Sequence, residues 1–295
     1  MVAGWFGGSY RADDPDSMDP LGWALLPGSV TGLGDTLYQD ELRAAYADTW
    51  SLSYEREVGN RASVEFSYVD KKTRDLFEDT CADNIPEPVE NPVCARNYLG
   101  NLPDLARDYK GFIVRYETRS FSWLTLLASY TYSKSEGNLE DSYPATDAFD
   151  VYPYHFENRY GYLRDHREHR FKLNGYFNIS GDWTIGFDGY WSSAFKWESQ
   201  ANVFDEPAML GGVWFLEPRG SRDGDQAHQL NLQLSKGFTI ARTRLVLIGT
   251  VYNAFSSENA TSVCSQISGC GSFEQGDSTS WQIPRRYELG FRVEF

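Results

Sequence analysis

Tyr287-Glu288-Leu289-Gly290-Phe291-Arg292-Val293-Glu294-Phe295 is the stretch whose reading decides the fold. Its odd positions are aromatic or aliphatic, and its even positions are charged or glycine. Alternation at period two puts one set on each side of an extended strand. A single strand of this kind fits a water-soluble sandwich as well as a membrane wall, so recurrence has to decide. Working back along the chain, Leu230, Leu232 and Leu234 alternate with Asn231, Gln233 and Ser235. Trp183, Ile185, Phe187, Gly189 and Trp191 alternate with Thr184, Gly186, Asp188, Tyr190 and Ser192. Phe171, Leu173, Gly175, Phe177 and Ile179 alternate with Lys172, Asn174, Tyr176 and Asn178. Leu124, Leu126, Ala128, Tyr130 and Tyr132 alternate with Thr125, Leu127, Ser129, Thr131 and Ser133. Similar patterns over 46–57, 61–73, 109–120 and 244–254 bring the count to nine.

Segments of about ten residues, apolar on one side and polar on the other, are what a membrane β-barrel requires. Closure leaves no edge amides stranded in hydrocarbon. The connections point the same way, because short and long ones alternate. Val58-Gly59-Asn60, Phe121-Ser122-Trp123, Ser180-Gly181-Asp182 and Gly237 to Thr243 are short. The stretches near 74–108, 135–166, 195–227 and 256–280 are long, and soluble sandwiches do not place long structureless connections at every second turn. Short periplasmic turns and long extracellular loops are the outer-membrane pattern. Trp50, Tyr54, Tyr130, Tyr132, Trp183 and Trp191 sit near strand ends, where interfacial girdles belong. The expected fold is therefore all-β: an antiparallel transmembrane β-barrel segment of about nine to ten strands in the bacterial outer membrane. A tenth strand would be Val2 to Tyr10, although its glycines weaken it.

Composition agrees. The 295 residues carry 27 Lys+Arg and 42 Asp+Glu, a net charge of −15, with 16% aromatic residues. That balance excludes a nucleic-acid partner, which needs a basic face, and the aromatic content excludes intrinsic disorder. No run of 18 apolar residues exists to form a membrane helix. The opening Met1-Val2-Ala3-Gly4-Trp5 has neither the early positive charge nor the apolar stretch of a signal peptide. Cys81/Cys94 and Cys264/Cys270 form two local pairs in Gly/Pro/Asn/Ser-rich segments, read as disulfides of an oxidising compartment. Zinc is the competing reading, but no His lies near either pair and no Cys-x-x-Cys is present. No cofactor, metal or catalytic residue is expected.

The polar face supplies the candidate lumen wall: Lys172, Asn174, Asp188, Asn231, Gln233, Glu288 and Arg292. Acidic runs at Glu78-Asp79, Glu136 to Asp141 and Asp223-Gly224-Asp225 are read as solvated loops. Their functional alternatives are ligand capture and divalent-cation bridges to lipopolysaccharide.

Ser280-Trp281-Gln282-Ile283-Pro284-Arg285-Arg286-Tyr287 through Phe295 resembles the closing strand of TonB-dependent outer-membrane receptors, particularly the Oar-like group. Val251-Tyr252-Asn253-Ala254-Phe255-Ser256-Ser257-Glu258-Asn259 is similar to that family's penultimate strand, which usually runs into an Asn-Leu-Phe-Asn turn; Ala254 and Ser256 depart from it. Glu217-Pro218-Arg219-Gly220-Ser221-Arg222 and Ala128 to Lys134 also look like family segments. The resemblance implies that Tyr287, Leu289, Phe291, Val293 and Phe295 form the signal read by the barrel-assembly machinery. It further implies a 22-stranded barrel of which residues 44–295 are the C-terminal region. Residues 1–43 would be a loop remnant, or a truncated strand plus loop. The implied function is energy-coupled uptake of a scarce ligand, with TonB contacted only through an N-terminal plug outside this sequence.

The alternative is a freestanding small barrel, either structural or adhesive, or an omptin-like surface protease. Asp165-His166-Arg167-Glu168-His169 would supply the protease's base and carboxylate. Adjacent residues of an extended segment point to opposite faces, however, so Asp165 and His166 are poorly placed to pair. Gly32-Leu33-Gly34 lacks the strand-turn-helix context of a dinucleotide site, and Asp14-Pro15-Asp16 lacks the remainder of a calcium loop.

Overall fold

The computed structural model describes residues 37–81, 97–102, 105–139, 157–164, 166–202 and 213–295. The possible strand at Val2 to Tyr10, Cys94 and Asp165 lie outside them. No helix occurs among the described residues. Nine long strands form one antiparallel meander: β1 (Tyr46–Glu57), β2 (Ala62–Arg74), β3 (Arg107–Phe121), β4 (Leu124–Gly137), β5 (His169–Ile179), β6 (Trp183–Ser192), β7 (Ala227–Ile240), β8 (Thr243–Tyr252) and β9 (Arg286–Glu294). The two-residue strand Gly161–Tyr162 adds to β4 at its loop end. Each strand pairs with its sequence neighbours, so all short turns lie at one end of the sheet and all long connections at the other.

Register decides what each face presents. Tyr287 pairs with Val251, Val251 with Leu232, Leu232 with Phe187, Phe187 with Gly175 and Gly175 with Leu126. One residue along, Glu288 pairs with Thr250, Thr250 with Gln233, Gln233 with Gly186, Gly186 with Tyr176 and Tyr176 with Thr125. A slip of one residue between any two strands would scramble these rows. None occurs through this part of the sheet, so the apolar sets of successive strands share one face.

That apolar face has no protein cover among the described residues. Leu232, Leu247 and Leu289 are 38%, 47% and 90% exposed, whereas a second sheet packed face to face would bury them. Within the nine strands only Ala62, Ala227 and Val246 are buried apolar residues. The compact apolar packing sits instead among the long connections, where Leu76, Leu102, Leu105 and Leu139 cluster beside Tyr98. An aromatic row follows the loop side of the exposed face: Trp50 meets Tyr68 edge-on, Phe66 stacks on Phe112, and Tyr130 and Tyr132 flank His169. Beyond that row the same face turns charged, with Arg74 bridged to Asp108 at 2.8 Å and Lys134 to Glu136 at 2.8 Å. The strands rise past an apolar band into a wet zone.

The structure corrects several expectations. β7 was expected to stop near Ser235 with a seven-residue turn at Gly237 to Thr243. It runs on to Ile240 instead and turns through Ala241 and Arg242, with Ala241 at φ 55°. Gly237 stays in the strand, paired with Val246, and the Arg244 guanidinium lies over it, 3.2 Å from where a Cβ would stand. The long connections are not structureless either. Lys196–Trp197 pairs with Arg222–Asp223, Gln200–Asn202 with Val213–Phe215, and Ala260–Val263 with Ser278–Trp281. Leu37–Tyr38 joins Asn97–Gly100 and Glu78–Cys81 in a further small sheet. Glu78, expected in a solvated acidic run, is buried at its end.

β8 ends where Asn253 takes φ 51°. Its amide side chain then organises the next turn, donating to the carbonyls of Ser257 and Ile283 at 3.0 and 3.1 Å and accepting the Ser257 N–H at 2.9 Å. This one residue ties the end of β8 to the entry of β9.

Candidate functional site

The mouth of the polar face is built by the segments that connect the strands. Glu217-Pro218-Arg219-Gly220-Ser221-Arg222 forms one wall. Glu217 holds Arg222 with both carboxylate oxygens, at 2.7 and 3.1 Å, and also accepts the Ser199 N–H at 2.7 Å. Although burial alone would raise it, hydrogen bonding to Arg222 and Ser199 leaves the Glu217 carboxyl below its usual range. Gly220, at φ 67°, donates its N–H to the buried Glu198 carboxylate at 2.9 Å. Burial pushes the Glu198 carboxyl up, against the Gly220 N–H and the nearby Arg219. The Phe215 ring lies between the guanidiniums of Arg159 and Arg219, each 5.1 Å from its centroid. Planar cations on a ring face fix a loop without a deep apolar core.

Alongside this wall, to which the Tyr162 N–H bonds through the Arg219 carbonyl at 3.3 Å, the segment before β5 folds onto β4. Leu163 N–H bonds the Ser135 carbonyl at 3.1 Å, and Ser135 N–H donates to His166 Nδ1 at 3.2 Å. His166 stacks on Tyr162 with centroids 4.4 Å apart. Burial, then the positive charge of Lys196, lowers its pKa from 6.5 to about 4, so the ring is neutral at pH 7. Arg167 donates to the carbonyls of Ser193 and Asp225, both at 2.9 Å, beneath its contact with Phe195. His169 is elsewhere: it begins β5 on the apolar face, with Nδ1 2.8 Å from the Tyr130 hydroxyl. The two histidines therefore occupy opposite sides of the wall.

These walls enclose a cavity of about 620 Å³ whose lining includes Arg164, Arg167, Arg170, Lys196 and Arg219, with Glu198 as its one carboxylate. Arg167 and Arg170 also line a second hollow of about 370 Å³, which continues down the polar face past His166 to Lys172. Sequence reading passed over this basic cluster, since the loops carry the chain's acidic surplus. The signal available was four cations among the nine residues from Arg164 to Lys172.

The expected wall residues Lys172, Asn174, Asp188, Asn231, Gln233, Glu288 and Arg292 all lie on the polar face. Asp188 pairs across to both Asn174 and Asn231, and Asn231 donates to its carboxylate at 3.1 Å. Gln233 donates to Thr250 at 3.3 Å, and Glu288 accepts from the Tyr252 hydroxyl at 2.9 Å. Asp188, Asn231, Gln233 and Arg292 share a shallow concavity of about 760 Å³, while Asn174 and Glu288 lie outside it. The acidic loop residues are occupied within the protein: Asp223 pairs with Lys196 at 2.7 Å, and Asp225 accepts the Ala260 N–H at 2.9 Å.

Cys264 and Cys270 are bonded to each other, closing a small loop beside the cavity. The Cys81 backbone belongs to a short strand, and its pairing with Cys94 lies outside the described residues. Among the described residues no group of His, Cys, Asp and Glu could hold a metal ion. Tyr287, Leu289, Phe291 and Val293 alternate along β9, and they and Phe295 point into the open on the free edge of the sheet.

Comparison with known proteins returns one family, described as an outer membrane beta barrel domain, whose profile matches residues 21–183. Among solved structures, the chain superposes on the outer membrane transporter YddB from Escherichia coli with a TM-score of 0.58 at 14% identity, covering 90% of this chain and 34% of that one. It superposes on the FrpB iron transporter from Neisseria meningitidis with a TM-score of 0.52 at 11% identity, covering 87% and 32%. The ferric-catecholate import receptor Fiu from E. coli K12 gives 0.50 at 12% identity, covering 85% and 28%. The chain thus spans about a third of the length of these proteins. No curated protein matches the sequence.

Proposed function

This chain belongs to the outer membrane beta barrel domain family and lies in the bacterial outer membrane, and on that premise we propose that it forms the C-terminal barrel portion of a TonB-dependent receptor. In this reading the receptor takes up a scarce ligand with energy delivered through TonB. The observation that carries the proposal is the antiparallel meander of nine strands, with an uncovered apolar face on one side, a polar face on the other and every long connection at one end. The neighbouring structures are a transporter, an iron transporter and an import receptor, which supports transport as the general kind. β1 and β9 do not pair with each other, and edges left open in hydrocarbon are costly. Further strands of a larger barrel would pair with both. The terminal segment Ser280 to Phe295 supports the Oar-like group and the assembly-signal reading of Tyr287, Leu289, Phe291, Val293 and Phe295. Among the described residues no arrangement favours a protease: His166 is buried and His169 faces the apolar side.

The test is capture of TonB. Isolated outer membranes carrying the full-length gene product are incubated with the purified periplasmic domain of TonB. Retention that depends on the gene product is expected. If the product is assembled in the membrane and TonB is not retained, the energy-coupled reading fails.

A further inference from the structure

Four carboxamide side chains run in series from the mouth down the polar face, all pointing the same way. Asn259 Nδ2 donates to Gln282 Oε1 at 2.7 Å, and Gln282 Nε2 to Gln229 Oε1 at 2.7 Å. Gln229 Nε2 then donates to Asn231 Oδ1 at 2.8 Å, and Asn231 Nδ2 to the Asp188 carboxylate at 3.1 Å. We infer that this row is a one-way relay, which reports the state of the Asp188 carboxylate to the root of the mouth hairpin formed by Ala260–Val263 and Ser278–Trp281. The inference goes beyond the transport reading and does not rest on it, because it concerns how one part of the sheet holds another.

The direction is fixed at both ends by groups that have no choice of role. At the lower end Asn231 Oδ1 also accepts the Asn253 N–H at 3.0 Å. A backbone N–H only donates, so the Asn231 NH2 must face Asp188. At the upper end Asn259 Nδ2 donates to the His228 carbonyl at 3.1 Å, and a carbonyl only accepts. Turning over any one amide between these ends would set donor against donor and acceptor against acceptor. Hydrogen bonds in such a chain polarise one another, and the last of them, to a carboxylate, is charge-assisted. The two ends serve different places. Asn259 and Gln282 flank the hairpin on either side, and the Gln282 N–H bonds the Asn259 carbonyl at 3.0 Å. Thr261, Ser262 and Val263 of that hairpin line the mouth cavity, whereas Asp188 and Asn231 line the shallow concavity farther down the polar face. A guanidinium or ammonium group entering that concavity would take the Asp188 oxygen from Asn231. The row would lose its charged anchor, and the hairpin root would loosen.

Hydrogen exchange at the Gln282 amide reads the hairpin root, in the full-length gene product assembled in lipid and referenced to the mid-strand Leu127 amide. Asp188→Leu and Gln229→Leu are each expected to accelerate it roughly threefold to thirtyfold, the range of couplings within one hydrogen-bond network. The double variant should exchange no faster than the faster single one, because a relay broken once is already broken. Thr184→Val removes a hydrogen bond to Asn178 on the same face of β6 but outside the row, and should leave Gln282 unchanged. Asp188→Asn keeps an accepting oxygen without the charge and should give a smaller acceleration; it replaces Asp188→Leu if that variant does not assemble. Gln282 exchange unchanged by substitution at Asp188 would reduce the row to a local brace and overturn the inference. So would accelerations that multiply in the double variant, which would make the two ends independent. An effect of Thr184→Val equal to that of Asp188→Leu would mean general loosening of the wall and would overturn it as well.

Discussion

Leu232→Arg is expected to lower the folding free energy of the membrane-embedded protein by about 2–4 kcal/mol, the cost of placing a guanidinium near the bilayer midplane on a barrel's outer face. Leu232 lies on the apolar face between Phe187 and Val251. Four residues toward the loops, His228 pairs with Trp191. Four residues toward the turns is Lys236, whose ammonium reaches back over Trp183 and Phe238 to the carbonyl of Gly181. That lysine is short of the aqueous boundary and snorkels out to it; an arginine at position 232 would be too deep to do so. The neighbouring change Gln233→Arg falls on the polar face beside Thr250 and is expected to cost within about 0.5 kcal/mol, as wet surface changes do. Denaturant titration of the full-length product in lipid, read by its heat-modifiable gel migration, checks the pair. Equal costs at 232 and 233 would mean that the two faces do not differ in solvent.

The second large effect is acid release of the segment before β5. His166 has a folded pKa of about 4 against about 6.5 when unfolded. Because the folded value is the lower one, the opened segment binds more protons between those limits, and docking is strengthened as pH rises through them. Docking is at full strength above pH 6.5 and is lost as the pH falls toward 4, by an amount on the order of 3 kcal/mol. Lys196 and Arg170 oppose the imidazolium, Glu168 and Glu136 favour it, and burial outweighs them all. Protonation also removes the Nδ1 lone pair that accepts the Ser135 N–H. Hydrogen exchange at the Ser135 amide, referenced to a mid-strand amide such as Leu127, should therefore accelerate steeply between pH 7 and 4.5. His166→Phe keeps a ring against Tyr162 without the titration and should flatten that dependence. Equal protection of Ser135 at both pH values in the wild type would contradict the burial of a neutral imidazole.

All nine long strands were legible as sequence because each signal is local: a period of two over about ten residues needs no knowledge of partners. The boundary at Gly237 was not legible, since glycine reads as a turn signal until its pairing with Val246 of the next strand is seen. The hairpins within the long connections were missed for a related reason. Their strands run two to four residues, too short for alternation to register. The seven polar-face residues followed from parity alone. The mouth cavity did not, because its lining comes from four stretches of sequence around Arg164, Lys196, Arg219 and the Ala260–Val263 hairpin, which only the folded connections bring together. Asp165 and His166 were already poorly placed to pair as neighbours on an extended segment, and Asp165 lies outside the described residues.

The central claim is that odd and even positions of one strand meet different solvents, and β7 offers the most direct measurement of it. A nitroxide is placed in turn at each position from 229 to 236 of the full-length protein in lipid, and its collisions with oxygen and with a water-soluble nickel chelate are recorded. Positions 230, 232, 234 and 236 should collide strongly with oxygen, which partitions into acyl chains, and weakly with nickel, while 231, 233 and 235 should show the lower oxygen exposure of a wall turned from lipid. Even-numbered positions shielded from oxygen and nickel alike would place Leu230, Leu232 and Leu234 in a dry protein interior and contradict the account.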